Sequence, residues 1–189
     1  MIELPNPAQA GFFHAAYNPA MPSPAASATL PHRIGILCYL FDGEGRTLLL
    51  HRKKPPNRDL YSPVGGKLET AEGESPTACA AREIFEETGL TVGVEDLHLT
   101  GIVSEKAFKH ENHWLMFLYE VTRPVSVPHG QEADGEGRLE WHTREGLDKL
   151  PLPETDRDII WPLFWKNRGK FFAVHIDCSG EKLQWTVEQ

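Results

Sequence analysis

The chain has 189 residues, 40% of them apolar, which is enough for one domain with a core of its own and calls for no second. A net charge of −8 and a pI near 5.6 exclude a broad basic surface for a nucleic acid polymer, so a polyanionic ligand has to be small and met by local groups. Cys38, Cys79 and Cys178 lack disulfide or metal-ligand spacing and point to a reducing cytoplasm, with neither a signal peptide nor a membrane-spanning run expected.

Residues 1–31 form a Pro/Ala-rich extension in which Pro5, Pro7, Pro19, Pro22, Pro24 and Pro31 break any regular pattern. Phe12, Phe13 and Tyr17 are its apolar anchors, able to dock on the domain or to support a homodimer, while a monomer is equally consistent with the sequence. The domain proper is expected over 32–189. It opens with strand-like residues 33–41, a turn at Asp42-Gly43-Glu44-Gly45 and a second strand over 47–53, which together predict a hairpin. The basic run His51-Arg52-Lys53-Lys54 then lies a short loop away from the pair Gly65-Gly66 and from Lys67. There it is either a solvated stretch or an attractor for phosphates.

The densest signal is the stretch 65–90. Ser75 before Pro76 is a helix entry, because the serine hydroxyl accepts a backbone N–H while proline at the first position forgoes nothing. Gly89 is the exit. At about 100° per residue, Glu83, Glu86 and Glu87 share one narrow face, with Cys79 and Ala80 on the same side, and Ala78, Ala81, Ile84 and Phe85 are expected to pack on the opposite face. Three acids so close repel one another, at the end of the helix whose dipole already disfavours them. A solvated acidic face is the plain alternative; a hard divalent cation such as Mg2+ would remove the repulsion, and carboxylate oxygens are its preferred ligands. Arg82, one turn before Glu86, either pairs with a carboxylate or flanks the helix as a surface cation.

Further strands are expected over 97–104 and 114–122. His110 and His113 between them have the spacing of one helical face but no third partner for zinc. An acidic loop follows with Glu132, Asp134 and Glu136. A second helix is predicted from Thr155 as its cap, with Pro162 kinking it or dividing it in two, and residues 170–177 and 182–188 read as a closing hairpin about Ser179-Gly180.

The run Glu74, Arg82-Glu83-Ile84, Glu86-Glu87 and Gly89-Leu90 resembles the Nudix box of the Nudix hydrolases, agreeing at every fixed position from Glu74 onward. Upstream it departs: Leu68 stands where the family has glycine, and Thr70-Ala71-Glu72 carries a two-residue insertion. The resemblance implies an α/β/α sandwich around a mixed sheet. It also implies a pyrophosphohydrolase that uses Mg2+, or Mn2+, and acts on a small nucleotide.

On that resemblance Glu83, Glu86 and Glu87 bind the metal, Gly65 or Gly66 assists through a carbonyl, and Glu136 or Glu132 adds one more acid. Glu83 or Glu86 is the base, oriented by Arg82. More loosely, residues 33–188 look like the branch that hydrolyses oxidised purine nucleoside triphosphates, which places Arg52 and Lys67 near the substrate and Asp156 at the purine edge. Ser62 stands where that branch has asparagine, and Pro153 or Glu154 where it has an aromatic. The implied reaction releases a monophosphate and pyrophosphate. The alternatives are a pyrophosphatase for ADP-ribose, a nucleotide sugar or a dinucleotide, and a non-catalytic ligand-sensing module.

Overall fold

The structure, a computed structural model, describes residues 29–189; the aromatic anchors of the N-terminal extension lie outside them. Five strands form a mixed sheet in the order β1 (His32–Tyr39), β5 (Asn112–Val121), β4 (Leu97–Phe108), β8 (Phe172–Asp177), β9 (Gln184–Val187). In it β1 runs parallel to β5 and β4 parallel to β8, and the other pairs are antiparallel. A second, antiparallel sheet has the order β3 (Tyr61–Ser62), β2 (Thr47–Arg52), β7 (Gly137–His142), β6 (Glu132–Ala133). The helices are α1 (Pro76–Thr88), α2 (Arg144–Leu147) and α3 (Trp161–Lys166).

Alternation along the first strand divides the core. Ile36, Cys38 and Leu40 join Cys79, Ala80 and Ile84 of α1 in one cluster. Tyr39 and Phe41 join Ile160, Trp161 and Phe164 in the other. A strand buried on both faces needs a helix on each, and the result is the expected α/β/α arrangement around a mixed sheet. Among the described residues no helix is long and apolar enough to cross a membrane.

The predicted hairpin of the first two strands does not form as one ladder. The Asp42 carboxylate closes the turn, accepting from the Glu44 and Arg46 amides at 2.9 and 2.8 Å. Beyond a bridge between Phe41 and Thr47, however, β1 and β2 part into different sheets. The reason is that both edges of β1 are taken. β5 occupies one, and the glycine loop occupies the other, with Ile36 N–H donating to the Gly66 carbonyl (2.9 Å), Cys38 N–H to Val64 (2.7 Å) and Leu68 N–H to Ile34 (3.1 Å). The loop is thereby stitched to the central sheet in front of α1.

Two other expectations change. His110 sits at a positive φ in the tight turn between β4 and β5, and His113 lies in β5 with its Nδ1 facing the Ala107 amide, so the two histidines do not share a helical face. Thr155 already has helical dihedrals and makes no capping bond; it lies inside the turn rather than before it. Residues Asp156–Ile160 form a π-helical turn in which Trp161 N–H donates to the Asp156 carbonyl. Pro162, which has no N–H to give to the preceding turn, follows directly; the helical run over 154–166 passes through it undivided and changes from π to α at Trp161. The closing hairpin forms as β8 and β9.

Candidate active site

The box helix begins and ends as its sequence dictates. Ser75 Oγ accepts from Ala78 N–H at 3.2 Å, Pro76 opens the helix, and Gly89 ends it at φ 76° with its N–H on the Phe85 carbonyl. Its orientation differs from the expected one. The buried residues are Cys79, Ala80, Ile84, Glu87 and Thr88, whereas Phe85 is 57% exposed. Contact with β1 and with the glycine loop turns Glu83 and Glu87 inward to the edge of the core, so Glu87 is buried, Glu83 is half-buried, and Phe85 is not their apolar counterweight.

Arg82 organises the acids. Its Nε and Nη2 donate to the two Glu74 oxygens at 2.8 and 3.0 Å, and its Nη1 reaches Glu83 at 2.8 Å and Glu86 at 3.0 Å. Nη2 also donates to the Lys67 carbonyl at 3.2 Å, which ties the helix to the loop. Arg82 is thus a strut and not a flanking surface charge. The insertion is accommodated upstream as a 3-10 turn, Thr70–Glu72, ended by Gly73 at φ 68°, and Glu69 N–H still reaches Glu74.

The glycine pair is required by space. A Cβ on Gly66 would lie 2.3 Å from Glu83 Oε1, and one on Gly65 would lie 2.2 Å from the Ile36 carbonyl oxygen. Gly65 N–H donates to Glu87 at 3.3 Å. Burial, then the Glu83 charge, push the Glu87 carboxyl up to about 8, and burial raises Glu83 as well despite Arg82 beside it.

Among the described residues no three His, Cys, Asp or Glu side chains are gathered tightly enough to form a ready ligand set. Glu83 and Glu86 close on Arg82 instead, and Glu136 closes on Lys54 at 2.7 Å and Arg52 at 3.4 Å. Glu136 nevertheless stays near enough that its charge adds to the raised affinity of Glu87 for a proton. Glu132, the other loop acid, pairs with exposed Lys53 at 2.7 Å.

Beside this cluster opens a cleft whose lining includes Arg52, Gly65, Gly66 and Lys67 together with Glu105, Thr155 and Asp156. Its walls include Leu37, Phe108, Trp114 and Met116. Lys67 holds its ammonium 5.9 Å from the centre of the Trp114 ring. Asp156 heads the π-helical turn, and burial followed by the Glu105 charge raise its carboxyl far above the ordinary range.

Structure thus brings the predicted Arg52, Lys67 and Asp156 into one cleft with the glycines. It adds Glu105, which sequence reading passed over, although an acid at an inward position between Val103 and Ala107 was a signal. Burial pushes the Glu105 carboxyl up to about 7.

The NUDIX domain family model matches residues 31–161. The uncharacterized Nudix hydrolase YvcI of Bacillus subtilis is 30% identical over 118 residues, 62% of this chain and 70% of its own. A second Bacillus subtilis protein, named as a candidate 8-oxo-dGTP diphosphatase, is 28% identical over 146 residues, 77% of this chain and 88% of its own. The solved MutT protein of Bacillus halodurans is 25% identical with a TM-score of 0.64, covering 82% of this chain and 97% of that one. With the family match spanning well over half of the chain and containing both the glycine loop and the carboxylate helix, this protein belongs to the NUDIX domain family and is a Nudix hydrolase.

Proposed function

We propose that this hydrolase cuts the diphosphate linkage of a nucleoside triphosphate, with oxidised purine nucleotides in its range, to a monophosphate and pyrophosphate, and that it needs Mg2+ or Mn2+. Similarity to the candidate 8-oxo-dGTP diphosphatase supports the substrate class. The observation that carries the reading is the continuity of the cleft, which runs from the glycine loop beside Glu83 to a buried acid, Asp156, between apolar and aromatic walls.

The donor set fits a hard cation. Glu83 and Glu87 are inward-turned carboxylates whose burial and mutual repulsion favour protonation unless a positive charge joins them. Glu83, Glu86, Glu87 and Glu136 would hold it. The Gly66 carbonyl is committed to the Ile36 amide, which makes the Gly65 carbonyl the better candidate to assist. Bound there, the ion supplies neutralising charge for the diphosphate and an acidified water.

The remaining work falls to the chain. Arg52, mostly buried and with its Nε unpartnered among the described residues, and Lys67 take the substrate's phosphates. Arg82 fixes the rotamers of Glu83 and Glu86. Glu83 is the better candidate for the base, because its burial raises its affinity for a proton. The apolar and aromatic walls give the base a surface to lie against.

Product identity tests the proposal. With Mg2+, phosphorus NMR should show a nucleoside triphosphate converted to monophosphate and pyrophosphate. Two monophosphate products from ADP-ribose, with triphosphates left intact, would transfer the assignment to the dinucleotide class.

A further inference from the structure

One acid in the cleft is only half satisfied. Glu105 lies on β4 between Val103 and Ala107, is 4% exposed, and its Oε1 has no hydrogen-bond partner among the described residues. The Thr155 hydroxyl is the polar group beside it. Asp156, itself 9% exposed, faces the same space from the π-helical turn. Two further buried polar atoms of residues that line this cleft, Ser62 Oγ and Arg52 Nε, also lack partners among the described residues.

Burying a carboxyl with one oxygen unpartnered is unfavourable, and placing a second acid against it is more so. A fold selected only for stability would carry neither, so their retention points to a ligand that completes them. Carboxyl oxygens accept hydrogen bonds, and two side by side match a ligand edge with neighbouring N–H donors. The walls formed by Phe108, Trp114, Met116 and Leu37 suit a flat, apolar-faced ring. Among nucleobases, a guanine-type purine presents such an edge through its ring N–H and exocyclic amino group. Adenine offers a single donor group beside an acceptor, and hypoxanthine lacks the 2-amino group.

We propose that Glu105, acting with Asp156, reads the paired N–H donors of a guanine-type base and sets the base selectivity of this enzyme. The inference rests on the nucleotide reading above and adds to it a residue and an edge. Glu105 touches the base and not the reacting phosphorus, so its removal acts on binding.

The test compares steady-state hydrolysis of guanosine triphosphate and inosine triphosphate, which differ by the 2-amino group, in wild type, Glu105→Gln and Asp156→Asn. Wild type should favour the guanine nucleotide in kcat/KM by about tenfold, the effect of one hydrogen bond made in a buried site. Glu105→Gln should raise KM for the guanine nucleotide by about tenfold at nearly unchanged kcat and bring the guanine-to-inosine ratio close to one. Its melting temperature should be at least that of wild type, because a buried charge-bearing group is gone. Asp156→Asn should shift the same ratio, which keeps the test informative if one variant folds poorly.

An unchanged ratio and KM in Glu105→Gln would overturn the inference while leaving the nucleotide reading intact. So would an equal loss of kcat on both nucleotides. Failure of wild type to hydrolyse either triphosphate would remove the substrate reading and this inference together.

Discussion

Arg82 meets Glu74 with two parallel hydrogen bonds, Nε to Oε1 at 2.8 Å and Nη2 to Oε2 at 3.0 Å. This pairing from the preceding loop fixes the guanidinium plane, and the remaining Nη1 then reaches Glu83 and Glu86. Orientation of the acids thus depends on a residue outside the helix. Glu74→Gln should lower kcat by about tenfold or more, because misplaced groups lose reactive geometry steeply.

The same variant should change acid stability. The Arg82 hydrogen bonds hold the Glu74 carboxyl at about 2, below its ordinary 4.5. A depressed carboxyl contributes stability above its unfolded value and loses it as pH falls toward the folded one. Thermal unfolding between pH 6 and 3 should therefore fall more steeply in wild type than in Glu74→Gln, with the variant about 1–3 kcal/mol less stable at neutral pH.

Gly65 and Gly66 should fail differently when given a methyl group. Gly66→Ala drives its Cβ against the Glu83 carboxylate, a side chain that can swing away, so activity should drop by about 100-fold with little change in melting temperature. Gly65→Ala meets the backbone oxygen of Ile36 at φ 154°, which cannot yield without breaking the stitch to β1. It should cost about 1–3 kcal/mol of stability as well as activity. Calorimetry beside the assay separates the two; equal melting temperatures for both variants would refute the distinction.

Chelation followed by metal addition tests the carboxylate cluster. EDTA should abolish turnover and Mg2+ or Mn2+ restore it. Each ion should also raise the melting temperature with concentration, by about 2.7 kcal/mol of added stability at 100 times its dissociation constant. Glu87→Gln should lose both the activity and most of the thermal shift.

In chelator, stability should decline from pH 6 to 8. Glu87 binds its proton more tightly folded, at about 8, than unfolded, at 4.5, so between these values the native state holds more protons and loses ground as pH rises. Glu105 and Asp156 act in the same direction. Denaturant titrations at pH 6 and 8 should differ by about 2 kcal/mol more in wild type than in Glu87→Gln.

Local interactions made much of this legible. The Ser75-Pro76 start, the Gly89 exit and the spacing of Glu83, Glu86 and Glu87 depend on residues within a turn or two of one another, so the sequence alone determined the helix, its acids and the family. The closing hairpin and the irregular helical turn next to Pro162 followed for the same reason.

What turned on long-range pairing was decided only by the tertiary structure. Competition for the edges of β1, won by β5 and the glycine loop, separated β1 from β2 and set the loop against α1. Packing of α1 on that surface, rather than any count of its apolar residues, buried Glu87 and exposed Phe85. Glu105 and Asp156, 51 positions apart by their numbering, became neighbours because β4 and the π-helical turn converge on one cleft, a meeting no spacing along the chain encodes.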